Sequence, residues 1–272
     1  MNSVRILRLG RMTYKQSYKV QRFLQTARCQ NLITDHVIIT EHPPVYTLGL
    51  RKLAGDSLLW SPEEIRAKLG AEVVESFRGG DITFFGPGTL MTYPILHLKE
   101  RRLTAYQYVD KLEDVMIDCL EKMGVEGCLG RIPEKRGVWT PKIDDSTSIG
   151  EKIGSIGIGM QKWVSIHGFA LNVSTELKFF DPIVACGLHG VSMTTIEKEL
   201  SRKPSSSTIP HQKLMETVSG LVVSSIPRLL GYDHSQVVNI EQPLVSSINI
   251  GGEEDHELPP QLVDQLLNTT QS

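Results

Sequence analysis

Two residues in the segment between Lys152 and Cys186 could perform covalent chemistry together. Cys186 stands between Ala185 and Gly187 in a segment with the composition of a turn, where a purely structural cysteine is not expected. The nucleophilic form of cysteine is the thiolate, which a nearby ammonium stabilises. Lys152 opens a predicted strand, so we interpret Cys186 as a nucleophile and Lys152 as its electrostatic partner. A structural cysteine and an exposed strand lysine are the alternatives.

Glycine-rich turns mark a second stretch that could bind a ligand. Arg78-Gly79-Gly80 and Gly86-Pro87-Gly88 bracket a short apolar strand. Because glycine has no Cβ, such turns allow a bound chain or phosphate to approach the backbone closely. The alternative is an ordinary turn with a solvated arginine. The glycines between residues 154 and 159 have the wrong order for a dinucleotide fingerprint, which argues against a nucleotide fold.

The composition excludes several classes of function. The 272-residue chain has 40% hydrophobic and 22% charged residues and a formal net charge of −2, so bulk charge predicts no binding to nucleic acid or membranes. No apolar run reaches the length of a membrane span, which predicts a soluble protein. Four cysteines without CxxC spacing predict neither a zinc site nor a disulfide framework, and they favour a reducing compartment.

The elements that must position these residues alternate irregularly. Hydrophobic periodicity predicts strands at 4–10, 37–40, 45–48, 72–76, 90–96, from 137 and from 152, and a strand over 163–173 with a kink at Gly168. It predicts helices at 14–29, from 61, at 104–124 and at 211–226. This mixed order indicates an α+β fold, a mostly antiparallel sheet packed with helices.

The two ends of the chain differ from its middle. The first acidic residue is Asp35, and the basic segment before it is typical of a mitochondrial presequence. A first strand over 4–10 followed by a helix is the interpretation we favour. Residues 201–210 have the composition of a linker. We expect one domain over residues 1–230 and a weakly patterned, loosely attached or disordered acidic tail over 231–272.

Four blocks, in this order, resemble the octanoyl-[acyl-carrier-protein]:protein N-octanoyltransferases of lipoate biosynthesis: Glu41–Gly49, Arg78–Gly88, Lys152–Gly157, and His167–Asn172 continuing to Cys186-Gly187. The resemblance covers roughly residues 4–226. It implies a single-domain fold similar to the lipoate and biotin protein ligases. It also implies an acyltransferase that moves an octanoyl group from octanoyl-acyl carrier protein to the lysine of lipoyl domains, without a cofactor or metal.

The resemblance also implies residue roles. Cys186 would carry the acyl thioester, and Lys152 would stabilise the thiolate and help to deprotonate the incoming amine. Of the two Lys-Ile pairs, at 142 and 152, only the second continues as Gly-Ser-Ile-Gly, so residues 141–150 are interpreted largely as an insertion in a hairpin. The acyl-chain pocket would comprise Arg78, Gly79, Gly80, Asp81, Ile82, Thr83, Phe84, Phe85, Ser155, Ile156, Gly157, His167, Gly168, Phe169 and Ala170. His167 and Asn172 could orient a substrate carbonyl or serve as structural polar groups.

The chain departs from the family pattern at two positions. Phe85 stands where the family usually has His, and Thr89 where it usually has Gln. An active enzyme is the interpretation we favour. The rivals are an ATP-dependent lipoate-protein ligase, an amidotransferase between lipoyl domains and a non-catalytic binder of acyl carrier protein or lipoyl domains. The expected partners are octanoyl-acyl carrier protein and the lipoyl domains of 2-oxoacid dehydrogenases and the glycine cleavage H protein. We expect a monomer, in the mitochondrial matrix if eukaryotic and in the cytoplasm otherwise.

Overall fold

The computed structural model of the protein describes residues 3–51, 55–142, 145, 148–203, 209–233, 237–240 and 263. Its helices are α1 (Tyr14–Cys29), α2 (Pro62–Leu69), α3 (Ala105–Lys122), α4 (Ile196–Ser201) and α5 (His211–Leu230). Its strands are β1 (Val4–Arg11), β2 (Asp35–Glu41), β3 (Val45–Leu48), β4 (Glu72–Glu75), β5 (Thr83–Phe85), β6 (Thr89–Ile95), β7 (Val138–Pro141), β8 (Ile149–Gln161), β9 (Val164–Asn172) and β10 (Val237–Ile240). Short 3₁₀ turns lie at Leu177–Phe180 and Ala185–Gly187. A helix long and apolar enough to cross a membrane is absent from these residues.

A large mixed sheet forms the centre of the fold, with the strand order β10-β1-β2-β6-β9-β8-β7. The strands β10, β1 and β2 are parallel neighbours, and every other neighbouring pair of this sheet is antiparallel. In a second, smaller sheet, β3 pairs in parallel with β4 and antiparallel with β5. The predicted α+β class with a mostly antiparallel sheet is confirmed.

Helices cover both faces of the large sheet. Helix α1 packs Val20 and Leu24 into one apolar cluster with Ile38 of β2. Helices α3 and α5 contribute Leu112 and Val218 to a separate cluster on the other face. The helices α1, α2 and α3 each begin with a capping box, in which the cap side chain and the side chain three residues later satisfy each other's backbone N–H groups.

Strand β9 is continuous where the sequence predicted a kink at Gly168. Gly168 pairs with Gly157 of β8, and a Cβ at Gly168 would lie 2.2 Å from the Thr92 carbonyl oxygen. The irregular backbone occurs one residue earlier, at His167, whose φ is 60°. The irregular residue is thus the neighbour of the predicted position, and the role of Gly168 itself is to let β6 approach closely.

The basic amino-terminal segment is part of the sheet. Residues from Val4 onward form β1, which pairs in parallel with β2, and Tyr14–Cys29 forms α1 as predicted. The strand interpretation of this segment is confirmed. The predicted hairpin around residues 141–150 is also present, since β7 and β8 pair antiparallel. Residues 143, 144, 146 and 147 of that turn lie outside the described part of the chain.

The segment after α5 contacts the fold again. Val237–Ile240 pair in parallel with β1, and the buried Tyr232 donates a hydrogen bond to Asp35 Oδ2 at 2.6 Å. The expectation of a loosely attached tail directly after Gly231 was wrong for these residues, because a free sheet edge supplied a partner that local pattern does not reveal. Most other residues between 231 and 272 lie outside the described ranges, as do residues 204–208 of the predicted linker.

Candidate functional site

A cavity of about 300 Å³ lies where the small sheet meets β8 and β9. Phe84 and Ile82 do not line it but pack with Tyr46 in an apolar cluster, because alternation along β5 turns Thr83 and Phe85 toward the cavity and Phe84 away. The structure brings the other sequence-predicted site residues together along its walls: Arg78, Gly79, Gly80, Asp81, Thr83, Phe85, Lys152, Ser155, Ile156, Gly157, His167, Gly168, Phe169, Ala170 and Cys186.

Cys186 lies on a tight turn, as the sequence predicted. Its φ of 59° is left-handed, and Gly187 follows with a φ of 67°. The Cys186 N–H donates to the Ile82 carbonyl at 2.8 Å, which ties the turn to the small sheet. The thiol Sγ lies 3.8 Å from Ser155 Oγ on β8. The turn therefore presents a half-buried thiol to the cavity.

The other cysteines have different surroundings. Cys119 and Cys128 are buried, and burial raises the pKa of each thiol to about 12. Burial also raises the pKa of Cys29, which lies outside the cavity on α1. These thiols remain protonated at neutral pH and therefore lack nucleophilic character.

Lys152 is buried rather than exposed, with 2% of its surface accessible. Its ammonium donates to the Arg136 carbonyl at 2.7 Å and lies 4.9 Å from the centroid of the Trp139 ring. Gly137 makes room for it, because a Cβ there would lie 3.0 Å from Lys152 Cε and 3.1 Å from Nζ. The alternative of an exposed strand lysine is wrong. Lysine is rarely fully buried, so a buried lysine on a cavity wall marks a candidate functional site.

Arg78 is also buried, with 6% of its surface accessible. Its guanidinium donates to the Thr47 carbonyl at 2.6 Å and to Thr47 Oγ1 at 2.8 and 3.0 Å. Burial lowers the pKa of Arg78, and the charges of Tyr14 and Cys186 act in the opposite direction. Arg78 is therefore a second buried cation on the wall of the cavity that contains Cys186. The alternative of a solvated arginine is wrong.

Aromatic side chains surround Phe85 at one end of the cavity. The Phe85 ring stacks 6.4 Å from Tyr14 and lies 6.5 Å from the His42 ring. Burial lowers the pKa of His42 to about 4, and its ring nitrogens are paired with the Met12 carbonyl at 2.7 Å and the Tyr93 hydroxyl at 2.8 Å. Phe85 thus lies among aromatic rings, with the Arg78 guanidinium 6.0 Å from the centroid of its ring.

Two residues considered from the sequence lie outside the cavity wall. The Asn172 side chain donates to the Thr194 carbonyl at 3.1 Å, which gives it a structural role. Thr89 Oγ1 lies 2.9 Å from Thr175 Oγ1, so this departure from the family pattern does not touch the cavity.

Sequence reasoning missed several residues of the site. Tyr14 and Tyr93 line the cavity from α1 and β6, and Arg136 lines it beside Lys152. The sequence placed Tyr14 and Tyr93 in predicted elements, but residue type alone does not show which face of an element meets a cavity. Arg136 acts on Lys152 through its backbone carbonyl, for which no sequence signal exists.

The sequence is similar to a known family over most of its length. It matches the family described as "Lipoyl protein ligase A/B catalytic domain" over residues 13–219. An octanoyltransferase of Syntrophobacter fumaroxidans is 41% identical over 206 residues, which cover 75% of this chain and 84% of the relative. An octanoyltransferase of Desulfotalea psychrophila is 43% identical over 192 residues, which cover 70% and 82%.

Solved structures show the same fold at low identity. A lipoate-protein ligase A bound with ATP superposes with a TM-score of 0.63 at 12% identity, covering 98% of this chain and 94% of the ligase. A putative lipoate protein ligase from T. acidophilum superposes with a TM-score of 0.61 at 12% identity, covering 99% and 95%. The expected lipoate-ligase-like fold is confirmed. By its sequence relatives, the chain belongs to the lipoyl protein ligase A/B catalytic-domain family and, within it, to the octanoyltransferases, which are acyltransferases.

Proposed function

We propose that this protein transfers an octanoyl group from octanoyl-acyl carrier protein to a lysine of lipoyl domains, through a thioester on Cys186. The observation that carries the proposal is the meeting of Cys186 and Lys152, from separate elements, in one cavity. The volume of about 300 Å³ is at the lower end of small-molecule pockets, which suits a medium acyl chain. The names of the curated relatives support octanoyl as that chain.

In the first step, the Cys186 thiolate attacks the thioester carbonyl of the acyl carrier protein. A new carbon–sulfur bond forms at Cys186, and the bond to the carrier's thiol breaks. The leaving thiolate takes a proton from the Lys152 ammonium, which also donates a hydrogen bond to the Arg136 carbonyl. Arg78 places a further positive charge on the wall of the same cavity, and a nearby positive charge stabilises an anion such as the attacking thiolate.

In the second step, the amine of the acceptor lysine attacks the octanoyl thioester. Lys152, neutral after the first step, takes the proton that the amine loses, and the Cys186 thiolate leaves. An amide is formed, and both side chains return to their starting protonation states. The sequence of steps uses no ATP, because the thioester is already an activated acyl donor.

The acceptors proposed are the lipoyl domains of 2-oxoacid dehydrogenases and of the glycine cleavage H protein. A monomeric state stays a prediction. The compartment also stays a prediction: we expect the mitochondrial matrix in a eukaryotic cell and the cytoplasm otherwise. The curated relatives described above are bacterial.

The test is a transfer assay with purified octanoyl-acyl carrier protein and an unmodified lipoyl domain in the absence of ATP. We expect the lipoyl domain to gain the mass of one octanoyl group. A parallel reaction replaces the donor with free octanoate and ATP, and another replaces it with an octanoylated H protein. Product only with octanoate and ATP would identify a ligase, and product only with the octanoylated protein would identify an amidotransferase.

A further inference from the structure

The side chain of His167 forms a wall between two cavities. It lines the cavity that contains Cys186, and it also lines a separate cleft of about 410 Å³ on the surface. Tyr18, Arg22, Phe77 and Met160 line this second space, which we call the Tyr18–Phe77 cleft. The His167 ring stacks on Tyr18 at 5.6 Å with nearly parallel planes, and the Phe77 ring also stacks with Tyr18, at 6.4 Å between centroids.

The His167 ring has no structural hydrogen bond that would explain its burial. It is 2% exposed, and within the described residues neither ring nitrogen has a hydrogen-bond partner. Burial lowers the pKa of His167 to about 3, and the positive charges of Arg78 and Arg22 act in the same direction, so the ring is neutral at physiological pH. Unpaired buried polar groups are rare and costly, which points to a function at this position.

The backbone directs this ring out of the normal alternation of a strand. Ile166 and Ala170 belong to the cluster beneath α1, and Phe169 belongs to the cluster on the opposite face. The left-handed φ of 60° at His167 places its ring against Tyr18 of α1. On the neighbouring strand, a Cβ at Gly159 would lie 2.9 Å from Ile166 Cγ2 and in ordinary contact, at 3.5 Å, with His167 Cδ2.

The distance between the thiol and the ring can be read from the strand register. The Cys186 thiol contacts Ser155, and His167 pairs with Ile158 of the same strand. Three residue steps of about 3.3 Å along a strand correspond to roughly 10 Å. An extended octanoyl chain has carbon–carbon bonds of about 1.5 Å and, with its zigzag, a length of roughly 9 Å. This offset along β8 places His167 near the end of an octanoyl chain that extends from Cys186 along the strand.

We propose that His167 sets the acyl chain length: its ring closes the acyl cavity about one octanoyl length from Cys186 and blocks passage into the Tyr18–Phe77 cleft. This inference rests on the proposed function for the identity of the chain. Because the His167 ring is neutral, it can contact the methyl end of an acyl chain without the free-energy cost of burying a charge in an apolar cavity. Removal of the ring would join the two spaces and give longer chains a path beneath Phe77, which is 68% exposed.

The test measures the binding of free octanoate and dodecanoate by calorimetry, which requires no acyl transfer. An open cavity would bind the longer chain more tightly, because each added methylene buries apolar surface. We expect the wild type to bind dodecanoate at least tenfold more weakly than octanoate. His167→Ala should reverse this order, whereas His167→Leu, which keeps the space filled without ring nitrogens, should retain it. The matched control is His36→Ala, which removes another buried histidine that lines neither cavity.

Equal or tighter binding of dodecanoate by the wild type would overturn the proposal, and this comparison requires no variant to fold. An unchanged preference in a folded His167→Ala variant would overturn it as well. A loss of the preference in His36→Ala would show that general loosening is the cause. If the length limit holds but octanoyl-acyl carrier protein fails to acylate the wild type, the proposed function fails while the role of His167 stands.

Discussion

At the scale of single residues, the backbone of the turn distinguishes Cys186 from the other thiols of the chain. Two consecutive left-handed residues, Cys186 and Gly187, reverse the chain within three residues. A left-handed non-glycine residue costs about 1 kcal/mol, so surrounding contacts must hold it in place. The Cys186 N–H bond to Ile82 and the Gly187 N–H bond to Val184 provide these contacts. The position of the Cys186 thiol therefore depends on Gly187 beside it.

Gly187→Ala should impair acyl transfer by displacing Cys186. An added Cβ would lie 2.7 Å from Asp81 Oδ2, at a φ that favours glycine. We expect the transfer rate to fall at least tenfold. Gly190→Ala is the matched control, because Gly190 has a similar φ of 69° and nothing within 4 Å of the added Cβ. Equal rates in the two variants would show that the position of the turn does not limit the reaction.

At the scale of elements, helix α3 holds Lys152 through the loop over residues 131–137. The buried Glu113 carboxylate of α3 accepts the N–H of Arg131 at 2.7 Å and the N–H of Gly137 at 2.8 Å. Between these two anchors, the Arg136 carbonyl accepts the Lys152 ammonium. Glu113 thus acts as a positioning residue for Lys152.

Glu113→Ala should release this loop and slow acyl transfer at least tenfold. It leaves two backbone N–H groups without their acceptor, whereas Glu113→Gln keeps one acceptor oxygen and should restore part of the rate. For each variant, the transfer rate and the free energy of unfolding in urea are both measured. A slow variant that keeps its stability has a displaced Lys152, whereas a slow variant that has lost stability is partly unfolded. Asp114→Asn is the control, because it weakens the ion pairs of Asp114 with Arg131 and Lys111 and leaves the Glu113 hydrogen bonds to the loop in place. A rate in Glu113→Ala that matches Asp114→Asn would exclude the positioning role.

At the scale of the whole molecule, buried neutral histidines link stability to pH. Burial lowers the pKa of both His36 and His42 to about 4, from an ordinary value of 6.5. Between those values the unfolded chain binds protons that the folded chain does not. The contribution of the two neutral rings to the free energy of unfolding is therefore fully present above pH 6.5, and it is lost as the pH falls from 6.5 toward 4.

The free energy of unfolding should thus decrease between pH 7 and pH 4.5. Each of the two histidines should contribute roughly 2.5 kcal/mol to the decrease, at 1.36 kcal/mol per pH unit. His36→Leu should flatten this dependence by about that amount, because leucine binds no proton. Urea unfolding at a series of pH values measures both curves. A wild-type stability that stays constant over this range would contradict the assignment of neutral histidines.

The sequence predicts most of the elements because their signals are local. Helix α3 carries its apolar spacing and its capping box within a contiguous segment, and the sequence placed it to within two residues. The turn at Cys186 was predicted from the adjacent glycine in the same way. Where the structure of a segment is decided by residues that are neighbours in sequence, composition and spacing were sufficient to predict it.

The parts that could not be predicted depend on contacts between distant segments. The burial of Arg78 results from Thr47, 31 residues earlier on another strand. The Lys152 ammonium is held by the backbone carbonyl of Arg136. Strand β10 forms because β1 offers it a free sheet edge. The cavity itself arises from the packing of two sheets, which periodicity within one strand cannot reveal.

The proposed acyl group on Cys186 is tested by the intact mass of the protein after mixing with octanoyl-acyl carrier protein, without ATP. The proteins compared are the wild type, Cys186→Ala and Lys152→Ala. We expect one added octanoyl group on the wild type, none on Cys186→Ala and slow acylation of Lys152→Ala. An octanoyl adduct that persists in Cys186→Ala, or a wild type that never gains the mass, would contradict this proposal.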